Sequence, residues 1–221
     1  MAGKGVFVKL SALLGVLIFV LLIIMSCVWK VTAFVPEMII FIAVILFFYI
    51  TYNNWNLNLP VYTIIILSFI PHSLGFMGFY LNSPIPIAWD HFTHILPCFA
   101  FSLFFFQYLS QFMDKKLLSI KSIFLILIVI LSASGIGVGI ELFEFSGFLI
   151  NGFGDGALAF GAGDACQGQL VSTFEEIDAY GGGWFNTMYD LIWNSIGVLL
   201  GVLVMIFFNQ FRNLFPRCFS S

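Results

Sequence analysis

The chain has 221 residues, of which 61% are hydrophobic and only 9% charged, and its mean hydropathy is +1.08. That is far more apolar surface than one water-soluble core of ordinary composition can hide. A formal net charge of -3, with no basic patch interleaved with aromatics, also excludes a nucleic-acid binder. What remains is an all-α, multi-pass protein of the cell membrane, expected to form a single integral membrane domain over residues 1–221 with membrane lipids as its surroundings.

At about 20 apolar residues per crossing, spans are predicted over 6–28, 33–52, 60–82, 90–113, 120–150 and 185–211, the fifth over-long. The first follows two lysines and ends in "IMSC", loosely like a lipoprotein cleavage box. Met25 stands where such a box has a smaller residue, so an uncleaved span is expected. Six spans put Lys4, Lys9, Lys115, Lys116, Lys121, Arg212 and Arg217 on one side and only Lys30 on the other. Positive charge is retained in the cytoplasm, so both termini are expected there. Cys27 and Cys98 fall inside spans, Cys166 in an outer loop and Cys218 in a cytoplasmic tail, which leaves no basis for a disulfide framework or a thiolate metal site.

The third span contains "IPHSLG", where Pro71 removes a backbone donor beside His72 and should kink the helix, turning His72 toward protein. The fourth opens with "WDHFTHILP". Asp90, His91 and His94 lie within roughly a 100° arc of one helix face. The fifth carries "GIGVG" and then "GIELFEF", whose Glu141 and Glu144 share a face at i, i+3 and must turn away from lipid. In the sixth, Asn186, Asp190, Asn194, Gly197 and Gly201 draw one polar-to-small stripe. The small residues of the fifth helix and the GxxxG pair Gly197 and Gly201 of the sixth predict that these two helices touch.

Because the fourth span starts outside, the fifth ends outside and the sixth starts outside, all three polar sets fall toward one depth in the outer half of the membrane. An outward-facing polar cavity is therefore expected, with Asp90, His94, Glu141, Glu144 and Asp190 as catalytic candidates. Intramembrane Asn, His and Asp also serve as interhelical glue, which is the plain alternative. If the residues form a working site, two chemistries fit. His91, His94, Glu141, Glu144 and Asp190 make an N/O ligand set suited to a divalent metal such as zinc or iron. Alternatively the same groups act as general acid and base without metal, like-charge proximity splitting their proton affinities. A lipid or envelope component would be the substrate. A small-molecule or ion transporter and a structural membrane partner stay open, although the inner halves of the fourth and sixth spans, apolar apart from Gln107, Gln111 and Asn209, argue against a through-path.

The connector 151–184 is Gly-rich and acidic. "GFGD" at 152–155 and "GAGD" at 161–164 match the GxGD signature of intramembrane aspartyl peptidases, a lesser alternative because no long apolar helix encloses either copy. Its acids Asp155, Asp164, Glu175, Glu176 and Asp178 lack the calcium-loop ladder and read as a solvated acidic loop.

The D-x-x-x-H at Asp90 to His94, "IELFE" at 140–144 and "NTMYDLIWNSIGVLLG" at 186–201 resemble the VanZ-like membrane proteins and, more closely in "ELFE" and T-x-x-D-x-x-x-N-x-x-G, the YjdF-type inner-membrane proteins of unassigned function. The resemblance covers roughly residues 88–202. It implies that Asp90, His94, Glu141, Glu144, Asp190 and Asn194 are the shared polar set and that the protein has an envelope role, without implying a reaction. Three positions depart from those patterns: His91 for a basic residue, Glu144 for Gln and Asn186 for Asp.

Overall fold

A computed structural model describes residues 5–151 and 182–214, with side chains for 5–146 and 187–208. The two GxGD copies, Cys166, Cys218 and the acids of the connector lie outside the described residues, as does the side chain of Asn186. The regular structure of the described part is all helical, with turns and short connections between helices. In chain order it comprises α1 (Val6–Val28), a 3-10 turn (Thr32–Phe34), α2 (Val35–Thr51), α3 (Leu59–Ser68), α4 (Ile70–Ser73), a second 3-10 turn (Leu74–Met77), α5 (Trp89–Ser110), α6 (Ile120–Asn151) and α7 (Gly182–Leu214). Six stretches are long and apolar enough to cross a membrane: Val6–Val28, Thr32–Thr51, Leu59–Met77, Trp89–Ser110, Ile120–Ser146 and Thr187–Phe208. These match the six spans read from the sequence.

Local chemistry sets several boundaries. Asn58 caps α3 by accepting from Val61 N at 2.9 Å, with Pro60 in the first turn where its missing N–H costs nothing. The third span does break at its proline: α3 stops at Ser68, and Pro71 opens the short α4. The span also ends sooner than the sequence suggests. Gly78 adopts a left-handed conformation (φ 86°) that terminates the second 3-10 turn, and the chain leaves the helix five residues before the expected limit at 82.

Two packing regimes divide the bundle. Helices α1, α2 and α3 bury a large apolar cluster around Phe19, Met38, Ile45, Tyr62 and Ile65, extended into α5 by Ala100, Leu103 and Phe104. Helices α5, α6 and α7 instead meet over small or short side chains, Cys98, Ala133 and Val198, followed by Phe106, Val129 and Val202 further along. The α5–α7 contact is the most extensive among the described residues.

Glycines explain that closeness. A Cβ on Gly197 would overlap the Ile95 carbonyl oxygen, and one on Gly201 would overlap Ser102 Oγ and approach Phe99 O to 2.8 Å. The GxxxG pair of α7 therefore seats on the backbone of α5, not on the small residues of α6. Helices α6 and α7 do touch, but through a different glycine: a Cβ on Gly137 would stand 2.9 Å from the Asn194 side chain. Gly137 makes room for an amide.

Candidate metal centre

The three polar sets converge. His94 on α5 is 4% exposed, and its two ring nitrogens face carboxylates from all three helices. Nδ1 lies 3.3 Å from Glu141 Oε1 on α6. Nε2 lies 3.5 Å from Asp90 Oδ1 one turn earlier, 3.7 Å from Asp190 Oδ1 on α7 and 3.9 Å from Glu144 Oε1 on α6. The arrangement follows from helix periodicity: Asp90 and His94 are i, i+4 on α5, Glu141 and Glu144 are i, i+3 on α6, and antiparallel neighbours bring these ends together.

A ligand atom from each of His94, Glu141, Glu144 and Asp190 lies within 4.8 Å of the other three. Zinc holds imidazole and carboxylate ligands at about 2.0–2.2 Å, so a cation among them would need only a modest inward turn of the side chains. Asp190 is the strongest single indication. It is 1% exposed, and neither of its carboxylate oxygens has a hydrogen-bond partner. A buried carboxylate left in that state is costly unless a cation or a proton completes it.

Charge balance points the same way. Four carboxyl groups surround one imidazole, and the Lys–carboxylate ion pair among the described residues, Lys121 with Asp114, is elsewhere in the chain. One imidazole cannot offset four carboxylates in a medium of low dielectric constant; protons or a metal cation must supply the rest.

An outer layer holds these side chains in place. Asn194 Nδ2 donates to Glu141 Oε1 at 3.2 Å, while Asn194 Oδ1 accepts from Cys98 Sγ at 3.2 Å. The thiol thus fixes which way the amide points, and the amide fixes one oxygen of Glu141. On the other side, Tyr80 Oη lies 2.7 Å from His72 Nδ1 and 3.4 Å from Thr93 Oγ1, and Thr93 in turn donates to the Asp90 carbonyl at 2.7 Å. Burial, reinforced by the nearby Asp90 carboxylate, holds the Tyr80 phenol well above its usual range, so it remains a neutral donor.

Not every residue singled out in the sequence enters this group. His91 stacks on Trp193 of α7, ring centroids 4.8 Å apart, and lies 6.2 Å from the Tyr189 ring. At 100° per residue it is turned away from Asp90 toward the aromatic face of α7. His72 sits among Phe34, Phe41 and Tyr80, facing protein and outside the four-ligand set. Asp90 lies beside the set and contacts it through His94. Asn194 supports the set, and Gly197 and Gly201 bring its helix close enough to α5 to do so.

The sequence reading missed Glu37, Cys98 as a hydrogen-bond donor, and the Tyr80–Thr93 pair. Glu37 is 2% exposed in the first turn of α2. Its signal was available: it is the only acid before Asp90, it follows a proline at a span start, and a carboxylate in a span marks function.

The chain belongs to the family described as "Predicted membrane protein (DUF2238)", which matches residues 9–211. No curated protein and no solved structure matches it significantly.

Proposed function

We propose that this membrane protein holds one divalent cation, zinc or iron, on His94, Glu141, Glu144 and Asp190, and uses it on a lipid or other envelope component at the outer face of the cell membrane. The observation that carries this reading is Asp190, buried with neither oxygen hydrogen-bonded and with a ligand atom within 4.8 Å of those of three other donors. The resemblance of the same residues to VanZ-like and YjdF-type proteins supports an envelope role. The distribution of basic residues supports the outward orientation.

The residues divide the work. His94 Nε2 meets Asp90, while Nδ1, buried without a hydrogen-bond partner and 3.3 Å from Glu141 Oε1, is the ring nitrogen that would offer its lone pair to a cation among the carboxylates. Cys98 and Asn194 keep Glu141 in the orientation that faces this nitrogen. A cation held there would supply Lewis-acid polarisation of a substrate oxygen. Asp90 is placed beside Nε2 to accept a proton as general base. A transport reading finds less support. Below the ligands the junction of α5, α6 and α7 is closed by Cys98, Ala133 and Val198 and then by Phe106, Val129 and Val202, all buried, with no ionisable carboxylate or base among these six.

The test is metal analysis of protein purified without added chelator, by plasma mass spectrometry, for wild type, His94→Ala and Glu141→Ala. The expected result is near-stoichiometric zinc or iron in wild type and a loss of about tenfold or more in each variant, because two of four ligand groups are probed. Equal metal in all three proteins would remove these residues as ligands.

A further inference from the structure

Beside the four ligands lies a cavity of about 470 Å³, within the range of about 300–1,000 Å³ typical of small-molecule sites. Its walls are α2 on one side and α6 on the other, with α3–α4 and α5 behind. Helices α2 and α6 share no substantial contact, so nothing ties the two walls together at the front. Ile40 on α2 and Phe143 on α6 both line the cavity, and they are 40% and 47% exposed. The cavity is therefore a groove that opens sideways, between these two residues, onto the surface that faces lipid.

The groove has a polar end and an apolar end. Glu37, His72, Thr93, His94 and Glu144 gather at the end of the bundle where the ligands meet, and the opposite end is closed by residues such as Val44 and Phe101. Along α6 it runs from Glu144 back to Gly135, a rise of about 13 Å at 1.5 Å per residue. One leaflet of hydrocarbon is about 15 Å deep. Groove and leaflet thus share length, direction and polarity.

Two glycines open it. A Cβ on Gly135 or Gly139 meets nothing within 4 Å, unlike Gly137, Gly197 and Gly201, whose missing side chains let neighbouring groups approach. Gly135 and Gly139 are not needed for helix contact, and what their bareness creates is space. At the polar end, His72 Nε2 is buried without a hydrogen-bond partner. When the short 2.7 Å bond to Nδ1 is donated by Tyr80, Nε2 carries the ring proton and needs an acceptor.

We infer that the groove takes one acyl chain of a glycerophospholipid, entering between Ile40 and Phe143, with an ester oxygen on His72 and the phosphate headgroup against the metal centre. The headgroup placement rests on the metal-centre reading; the chain placement does not. A groove immersed in hydrocarbon is filled by hydrocarbon without a desolvation cost, and a preformed slot that matches a chain selects it by packing.

The test uses the full chain in nanodiscs of phosphatidylglycerol doped with a phosphatidylcholine that carries a photoactivatable diazirine near the tip of one acyl chain. After irradiation, labelled residues are located by peptide mass spectrometry. Labelling is expected to concentrate on Val44 and Phe101, at the deep end, over Leu131 and Leu203, which are 63% and 61% exposed on the ordinary lipid-facing surface. In Gly135→Leu/Gly139→Leu, labelling of Val44 and Phe101 should fall about tenfold, equivalent to about 1.4 kcal/mol, while Leu203 labelling and metal content stay as in wild type. Leucine is the better helix former at both open positions, so this variant should fold. Labelling of Val44 and Phe101 no stronger than that of Leu203 in wild type would overturn the inference, as would full labelling of both in the glycine variant. Glu141→Gln keeps the two readings apart: it should lose metal while Val44 and Phe101 remain labelled.

Discussion

The two halves of the bundle solve the same problem, helix association in lipid, by opposite means. Helices α1 to α3 interlock large side chains: Phe19, Met38, Ile45 and Tyr62 are all fully buried, Phe41 stacks on Phe69 with centroids 4.5 Å apart, and the Tyr62 hydroxyl donates to the Ile45 carbonyl at 3.1 Å. Helices α5 to α7 use little bulk around the polar cluster, and Phe106 packs further along. Gly197 and Gly201 lie on the α5 backbone, and the space between helices is filled by a thiol, an amide, an imidazole and carboxyl groups. Lipid tails are as apolar as leucine, so neither half is held by a solvent-driven hydrophobic effect; one relies on van der Waals contact over large rings and the other on close backbones with interhelical hydrogen bonds. The second arrangement is the one that can present ligands. A polar side chain is positioned reproducibly only where its neighbours cannot move, and short side chains on touching backbones have few rotamers to explore.

That contrast can be broken at three places, given from the largest effect to the smallest. Gly201→Leu should be the most damaging, at about 3 kcal/mol or more, because the new side chain meets Ser102 and the Phe99 carbonyl and must drive α7 off α5. Its unfolding transition in detergent should drop sharply, and the purified protein should lose metal along with it, since Asp190 and Asn194 ride on the same helix. A variant with wild-type stability would show that the backbones are not in forced contact. Phe19→Ala, in the other half, should cost about 2 kcal/mol through lost van der Waals contacts, with less than the full penalty seen in water-soluble cores because lipid can replace some of them. Here metal content should be unchanged; a parallel loss of metal would mean that the halves are not independent.

Asn194→Ala should have the smallest effect on folding, about 1 kcal/mol. Its signature lies elsewhere: with Glu141 no longer held by the amide, metal affinity should fall about 10–100-fold, as for other groups that orient a ligand from outside. Competition with a chromogenic chelator measures this directly. Unaltered affinity would reduce Asn194 to interhelical glue.

Much of this organisation can be read without coordinates. Six apolar stretches of membrane-spanning length are a property of composition along the chain, and the lipid-exposed outer surface follows from it. The convergence of His94, Glu141, Glu144 and Asp190 is also legible, because helix periodicity puts each set on one face and alternating direction puts the sets at one end. His91 shows where that reasoning stops. A 100° arc is wide enough to straddle two environments, and Asp90 meets His94 while His91 meets Trp193.

What the amino-acid order alone determined, then, is the six stretches long and apolar enough to cross a membrane among the described residues, the end of its stretch at which each polar group lies and the face of its own helix on which it lies, because these depend only on hydropathy and the 3.6-residue repeat. Which helix each face meets was decided by the tertiary structure. The α7 glycines seat on α5 instead of α6, Cys98 becomes the donor that orients an amide, Glu37 joins the site from a distant span, and a groove stays open between α2 and α6. The reason is physical: rotation and neighbour order in a bundle are set by the summed fit of all facing surfaces, a quantity that no single helix carries in its own pattern.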